Sequence, residues 1–363
     1  MKKYNLISIL CVAFFGLFVA SCKNESVSFP DYKFSTVYFA YQTPVRTIVL
    51  GEDTYDTSLD NAHKCEIYAT MGGVYANKKS INIDFVVDNT LCDYLNFADG
   101  TPVKAMPSSY YSLASNKIAL DHALQGAVGV QLTDAFFADL KSLTNTYVIP
   151  LKMTNVTNAD SILLGKAKTS GAALTNLAAW DIQPKNYVLY CVKFINTWHG
   201  IYLRRGVDVV STSTTPVIRH KQYVEYSDLI SLSSLSLSDI SFPLAITNAD
   251  GTDVGFKFKL TFDQNSKCTA APYSTSYQVN DSVRVYNVTT TGNGTFVKKG
   301  EKNSWGNTDR DGLYLKYNYG LVIESTHKNK PTVTQNIQVS TTDTLVARNR
   351  GVAIETFTPV YTK

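Results

Sequence analysis

Charge is scarce in this chain. Only 18% of its 363 residues are Asp, Glu, Lys or Arg, against about 25% in an ordinary soluble domain. The 34 basic residues nearly cancel the 30 acidic ones, which argues against nucleic acid as a partner, since that needs a basic stripe or patch. The five histidines (His63, His122, His199, His220 and His327) are scattered, with no pair at metal-ligand spacing, so neither a metal nor any other cofactor is expected. The six cysteines form no C-x-x-C pair, which excludes a zinc knuckle and a dense disulfide scaffold. The apolar stretch Leu6 to Val19 is too short for a bilayer span of about 20 residues. What is present is 44% hydrophobic and 12% aromatic, enough for one large or two ordinary domains and too much for intrinsic disorder. Tyrosine (23) far outnumbers tryptophan (3), and Ser, Thr and Asn recur throughout, a composition suited to strands with polar turns. The expected fold class is all-β.

The first residues carry the features of a leader. Lys2 and Lys3 form a positive n-region ahead of the apolar stretch, and Val19-Ala20-Ser21-Cys22 closes it. That ending resembles the lipobox of bacterial lipoproteins, which implies cleavage after residue 21 and acylation of Cys22. Losing Lys2 and Lys3 leaves 32 basic against 30 acidic residues, a net +2. Lys23-Asn24-Glu25-Ser26 resembles the signal by which Bacteroidetes send lipoproteins to the outer face of the outer membrane. The expected location is therefore the outer membrane, lipid-anchored and facing the cell surface. Cys65, Cys92, Cys191 and Cys268 remain; a Cys65–Cys92 bridge and buried free thiols are both open readings.

Alternating apolar and polar residues organise the rest. Residues 1–21 read as the signal, 22–36 as a tether, 37–155 as a first strand-built unit, 156–186 as a linker and 187–363 as a second unit. In the first unit, Thr47–Gly51, Cys65–Thr70, Ile81–Val87, Lys117–Leu120, Ala127–Leu132 and Tyr147–Met153 read as strands, and Thr133–Leu143 as the one helical stretch. Strands at this spacing predict an Ig-like β-sandwich. The linker carries little β periodicity, ends near Pro184 and contains Trp180, expected to plug a boundary between units. Tyr187–Phe194 then opens a second series with Gln222–Tyr226, Gly255–Phe262, Ser282–Val288, Gly294–Val297, Gly312–Tyr317 and Thr344–Arg348. About eight such strands can close into a lipocalin-like antiparallel barrel or a curved sandwich, because closure removes exposed edges.

Specific segments resemble known domains. Tyr41 to Gly51, Asp60 to Val74, Tyr110-Tyr111-Ser112-Leu113 and Asn145 to Pro150 resemble the DUF1735-type domain at the N-terminus of many Bacteroidetes glycan-utilisation lipoproteins. A related domain precedes the catalytic barrel of an endo-β-N-acetylglucosaminidase. Trp198-His199-Gly200, Phe256 to Phe262, Lys298 to Gly306 and Arg350-Gly351-Val352 resemble the DUF5627-type partner domain. The resemblance implies a surface lipoprotein of a glycan-utilisation system, with an outer-membrane transporter or glycoside hydrolases as partners.

The chemistry-bearing residues point to binding rather than catalysis. Glycoside hydrolysis needs two carboxylates about the scissile bond, and the chitinase-like run Asp-x-x-Asp-x-Asp-x-Glu is missing. Asp309-Arg310-Asp311 sits between Asn307 and Gly312 and reads as a turn. No Gly-x-Ser-x-Gly elbow or phosphate-binding glycine run occurs. Sugar rings instead stack their C–H faces on aromatic side chains while polar groups meet their hydroxyls. Two segments offer that combination: Trp198 with Tyr202 and Arg204, and Trp305 with Asn307, Tyr314 and Tyr317. A Trp or Tyr in a β protein is more often core than platform, and Arg204-Arg205 more often bridges to an Asp than binds an anion. Trp305, bracketed by Asn, Ser, Gly and Asn, is the first choice. The expected function is non-catalytic glycan binding. The alternatives are a lipocalin-like carrier of a small hydrophobic ligand and a structural or adhesive surface protein; Phe256, Phe258, Leu260 and Phe262 on one wall argue for a filled barrel.

Overall fold

A computed structural model describes residues 30–326, 328 and 331–363. Cys22 with the leader before it, and His327, lie outside them. The strands of the first unit are β1 (Thr36–Tyr38), β2 (Pro44–Val49), β3 (Lys64–Gly72), β4 (Ser80–Val87), β5 (Tyr111–Leu113), β6 (Lys117–Asp121), β7 (Gln125–Leu132), β8 (Tyr147–Thr157) and β9 (Tyr187–Ile195). One sheet runs from a short strand at Ser161–Ile162 through β1, β3 and β7 to β5; the facing sheet runs β2, β9, β8, β4, β6. Alternation builds the core between them: β3 buries Cys65, Ile67, Ala69 and Met71, and β4 buries Ile81, Ile83 and Phe85. Each buried Ile, Met or Phe among them contributes about 1.5–3 kcal/mol. The expected helical stretch forms as a helix at Asp134–Ala138 and a 3-10 turn at Leu140–Leu143, with Phe136 and Phe137 in the core.

The boundary of the first unit differs from the sequence reading. Tyr187–Ile195 opens no second unit; β9 is a central strand of the first, parallel to β2 and antiparallel to β8. It is covered on both faces. Val188, Val192 and Phe194 enter the sandwich core, while Tyr187, Leu189 and Cys191 pack on Leu91, Leu95, Phe97 and Phe357. Burial on both sides explains why this segment is almost continuously apolar. The expected linker is also partly ordered into pairing: Lys166–Ala167 pairs with Trp180–Ile182, and Trp180 Nε1 donates to the Ala173 carbonyl at 2.9 Å, anchoring its own loop. Cys65, Cys92, Cys191 and Cys268 are all free thiols, each pushed up to about 12 by burial. No Cys65–Cys92 bridge exists.

The second unit is a closed meander of β10 (Gly200–Val210), β11 (Asp228–Ser234), β12 (Asp239–Thr247), β13 (Asp253–Phe262), β14 (Lys267–Pro272), β15 (Val283–Ser304), β16 (Thr308–Ser325) and β17 (Val333–Asn349). β10 closes the ring by pairing with β11 along one edge and β17 along the other. Residues 224–226, read as part of a strand, form a 3-10 turn before β11. The lumen is filled. Phe256, Phe258, Leu260 and Phe262 point inward while Lys257 lies outside, and Phe258 meets Tyr317 and Tyr319 at ring-centroid distances of 6.0 and 5.7 Å. After β17 the chain returns to the sandwich. β18 (Glu355–Thr356) pairs with β2, Phe357 enters the cluster behind β9, and Val360–Tyr361 pairs with Leu95–Asn96.

Candidate functional site

The site is built on the arm formed by β15 and β16. Beyond Gly312 these strands pair only with each other, so the hairpin continues past the ring. Its tip turns at Trp305–Asn307, where Gly306 and Asn307 take φ of 70° and 53°, the left-handed region that glycine and asparagine tolerate. Trp305 folds back on β17, its Nε1 donating to the Ala347 carbonyl at 3.2 Å. The Arg310 guanidinium stands 3.6 Å from the indole centroid and its Nε donates to the Trp305 carbonyl. Such a cation–π contact is worth about 0.5–2 kcal/mol and fixes a half-buried indole in one orientation.

Next to the indole the arm reaches the sandwich, where Lys298 Nζ meets Glu52 Oε1 at 2.7 Å. A cleft of about 240 Å³ lies between residues 52–54 of the sandwich, Lys299 and residues 309–311 of the arm, and residues 347–350 at the end of β17. That is just under the roughly 300–1,000 Å³ of pockets enclosing drug-sized molecules. Four carboxylates face it. The Lys298 hydrogen bond holds Glu52 below the usual carboxylate range, and the Asn303 backbone N–H, followed by Lys302, does the same for Asp309. Asp311 accepts from the Lys299 backbone N–H at 2.8 Å. Arg350 closes the floor by donating to the carbonyls of His199, Glu52, Leu50 and Asn196. Arg348 and Asn349 are exposed at the rim. Among the described residues no cluster of three His, Cys, Asp or Glu side chains could hold a metal.

The structure divides the residues singled out from sequence. Trp305 and Asn307 share the arm tip, and Tyr314 lies half-buried in the ring wall, paired with Thr344 of β17, with its Oη donating to Glu301 of the arm at 2.7 Å. The other four are interior. Trp198 stacks on Phe262 with centroids 4.0 Å apart and planes 10° apart, and Tyr202 Oη donates to the Trp198 carbonyl. Arg204 donates to Asp343, Tyr317 Oη donates to the same carboxylate at 2.7 Å, and Arg219 reaches its other oxygen at 2.6 Å. These groups hold one another, so Trp198, Tyr202, Arg204 and Tyr317 do not form a surface site. Sequence reasoning missed Glu52, Asp53, Arg348 and Asn349. Asp309-Arg310-Asp311 is not a turn but the start of β16, and its alternation across the strand was the available signal.

Residues 197–351 match the model of a domain of unknown function, DUF5627, and residues 31–160 match a model described only as an N-terminal domain. The first match spans the barrel. A solved structure of a protein of unknown function from Bacteroides ovatus is 43% identical, with a TM-score of 0.80, covering 92% of this chain and all of that one. This chain belongs to that protein's family. More distant likenesses include a multidomain protein including DUF1735 from Bacteroides ovatus (11% identity, TM-score 0.37, 89% of this chain and 100% of that one). An auxiliary nutrient binding protein from Bacteroides thetaiotaomicron is 11% identical with a TM-score of 0.34, over 86% of this chain and 95% of that one. Both are too distant to argue from. No curated protein matches the chain.

Proposed function

We propose that this protein binds carbohydrate without cleaving it, as a lipid-anchored outer-membrane component of a glycan-utilisation system whose N-terminal sandwich is of the DUF1735 type. The observation that carries the reading is Trp305, held by Arg310 at the tip of the arm beside a cleft rimmed by amide, guanidinium and carboxylate groups. An indole edge or face with convergent polar groups is what a sugar ring requires, and each stacking contact supplies about 1 kcal/mol. A hydrolase needs one carboxyl pushed up to act as general acid, whereas Glu52 and Asp309 are both pushed down. The packed lumen speaks against a carrier of an apolar molecule.

Calorimetric titration of the protein against plant and host glycans tests the reading. Binding by at least one glycan, weakened about tenfold or more by Trp305→Ala, supports it; tenfold corresponds to about 1.4 kcal/mol. Silence across the panel overturns it. For the anchor, a Cys22→Ser variant is expected to lose incorporation of a labelled fatty acid and to leave the membrane fraction.

A further inference from the structure

A second cavity, of about 410 Å³, lies in the unit that sequence alone would treat as a spacer. It opens between the two sheets of the sandwich, beside β2, β3 and β9. Its lining is mostly carbon: Ala40, Pro44 and Leu59 form accessible apolar surface, and the rings of Tyr41 and Tyr68, 70% and 54% exposed, line it too. The charged groups are already engaged. Arg46 is paired with Asp60 and donates to the Thr47 carbonyl, and Glu66 accepts from Tyr68 Oη at 2.5 Å. A charged ligand therefore finds no free counter-charge.

Tyr190 breaks this economy. It lines the cleft from β9, is largely buried, and has no side-chain hydrogen bond among the described residues. Burial, the first cause, raises its ionisation well above the ordinary tyrosine range, so the hydroxyl keeps its proton and is a donor without an acceptor. Tyr190 lines the cleft, so a ligand oxygen can accept from its hydroxyl in place of water.

We infer that the cleft is a second, uncharged-sugar site, selective for a ring carrying a methyl group, a 6-deoxy or acetylated sugar. Tyr41 and Tyr68 take the apolar ring face, the methyl group meets Ala40, Pro44 and Leu59, and a ring, hydroxyl or acyl oxygen accepts from Tyr190 Oη. A fully hydroxylated hexose would press unpaired hydroxyls against carbon at a cost of about 1–3 kcal/mol each. A recess of about 310 Å³ shares Leu59, Cys65 and Glu66 with the cleft, giving a longer chain room to continue. The inference is independent of the site at Trp305.

The test is saturation-transfer NMR and titration of the intact protein with methyl α-L-fucoside, methyl N-acetyl-β-D-glucosaminide and methyl β-D-glucoside at up to ~20 mM, near the weak limit of useful affinity. At least one of the first two is expected to bind, with the glucoside at least about fivefold weaker. Tyr190→Phe, which removes one oxygen and leaves the melting temperature unchanged, is expected to weaken binding about fivefold, the worth of one hydrogen bond. Tyr68→Ala abolishes it and Trp305→Ala leaves it intact. No signal from any probe, equal binding of the glucoside, or indifference to both Tyr190→Phe and Tyr68→Ala overturns the inference. Loss of the signal in Trp305→Ala does so too, by moving it to the cleft under the arm; failure of that other site alone leaves this one standing.

Discussion

Asp343 is the residue on which the barrel interior turns. Its side chain is fully buried and receives Arg204, Arg219 and the Tyr317 hydroxyl, three donors arriving from three other strands or loops. Asp343→Asn removes the charge that two buried guanidinium groups answer, and denaturant unfolding is expected to show a loss of about 3–5 kcal/mol. His199 gives a pH-dependent counterpart. Burial, then the nearby Arg350 and Lys193 charges, push it down to about 4 from 6.5, and its Nδ1 accepts from the Ser234 N–H at 3.0 Å. The folded state therefore resists a proton that the unfolded chain takes up. Stability is complete above about pH 6.5 and falls towards pH 4 by up to ~3 kcal/mol. His199→Asn keeps an acceptor without titrating, so its melting temperature between pH 7 and 4 should fall less steeply than that of the wild type. Part of this was legible beforehand, since an Arg pair in a β protein more often bridges to an Asp than binds an anion. Which acid receives Arg204 was not legible, because Asp343 lies 139 residues further on and only the closed ring brings the two together.

At the scale of elements, alternation served well where one face is wet. β13 and β4 lie close to where their patterns place them, because a two-residue period is local information. It failed where geometry is long-range. β15 runs 22 residues, yet its sequence breaks into pieces at Gly292, Gly294 and Gly300. A Cβ at Gly294 would stand 2.4 Å from Leu315 Cδ2 and 2.6 Å from the Tyr314 carbonyl, so these glycines permit close strand approach rather than ending the strand. The arm, and with it the Trp305 cleft, was hidden by that ambiguity; only the Trp305 turn itself stood out. The returning tail is another element without a strong pattern. It places Phe357 over Phe97 at 4.9 Å between ring centroids and Glu355 against Lys193 at 2.6 Å. Deleting residues 351–363 is expected to raise hydrogen exchange in β2 and residues 95–97 while leaving β11 to β13 protected.

The whole molecule is organised around the seam between its units. Arg350 donates to carbonyls on both sides of it, among them Leu50 and Glu52 of the sandwich and His199 at the start of the barrel. Replacing it by alanine strands several carbonyls. Arg350→Ala should leave each unit folded yet increase the radius of gyration in small-angle scattering and widen the Trp305 cleft. The seam also explains the misplaced boundary: Pro184 followed by a strong strand looks like a beginning, and only the parallel pairing of β9 with β2, each residue with one 146 positions earlier in the chain, shows it to be an ending.

The return of the tail to β2 has one more consequence. Chain leaves the sandwich at Asn196 and re-enters it at Arg350, and those two residues touch, Arg350 Nη2 to Asn196 O at 2.5 Å. The barrel is thus a guest lodged at a single doorway of its host, and a few flexible residues spanning that doorway would let the host close without it. Lineages can exchange such a guest wholesale, altering what is recognised while the scaffold that presents it stays as it was.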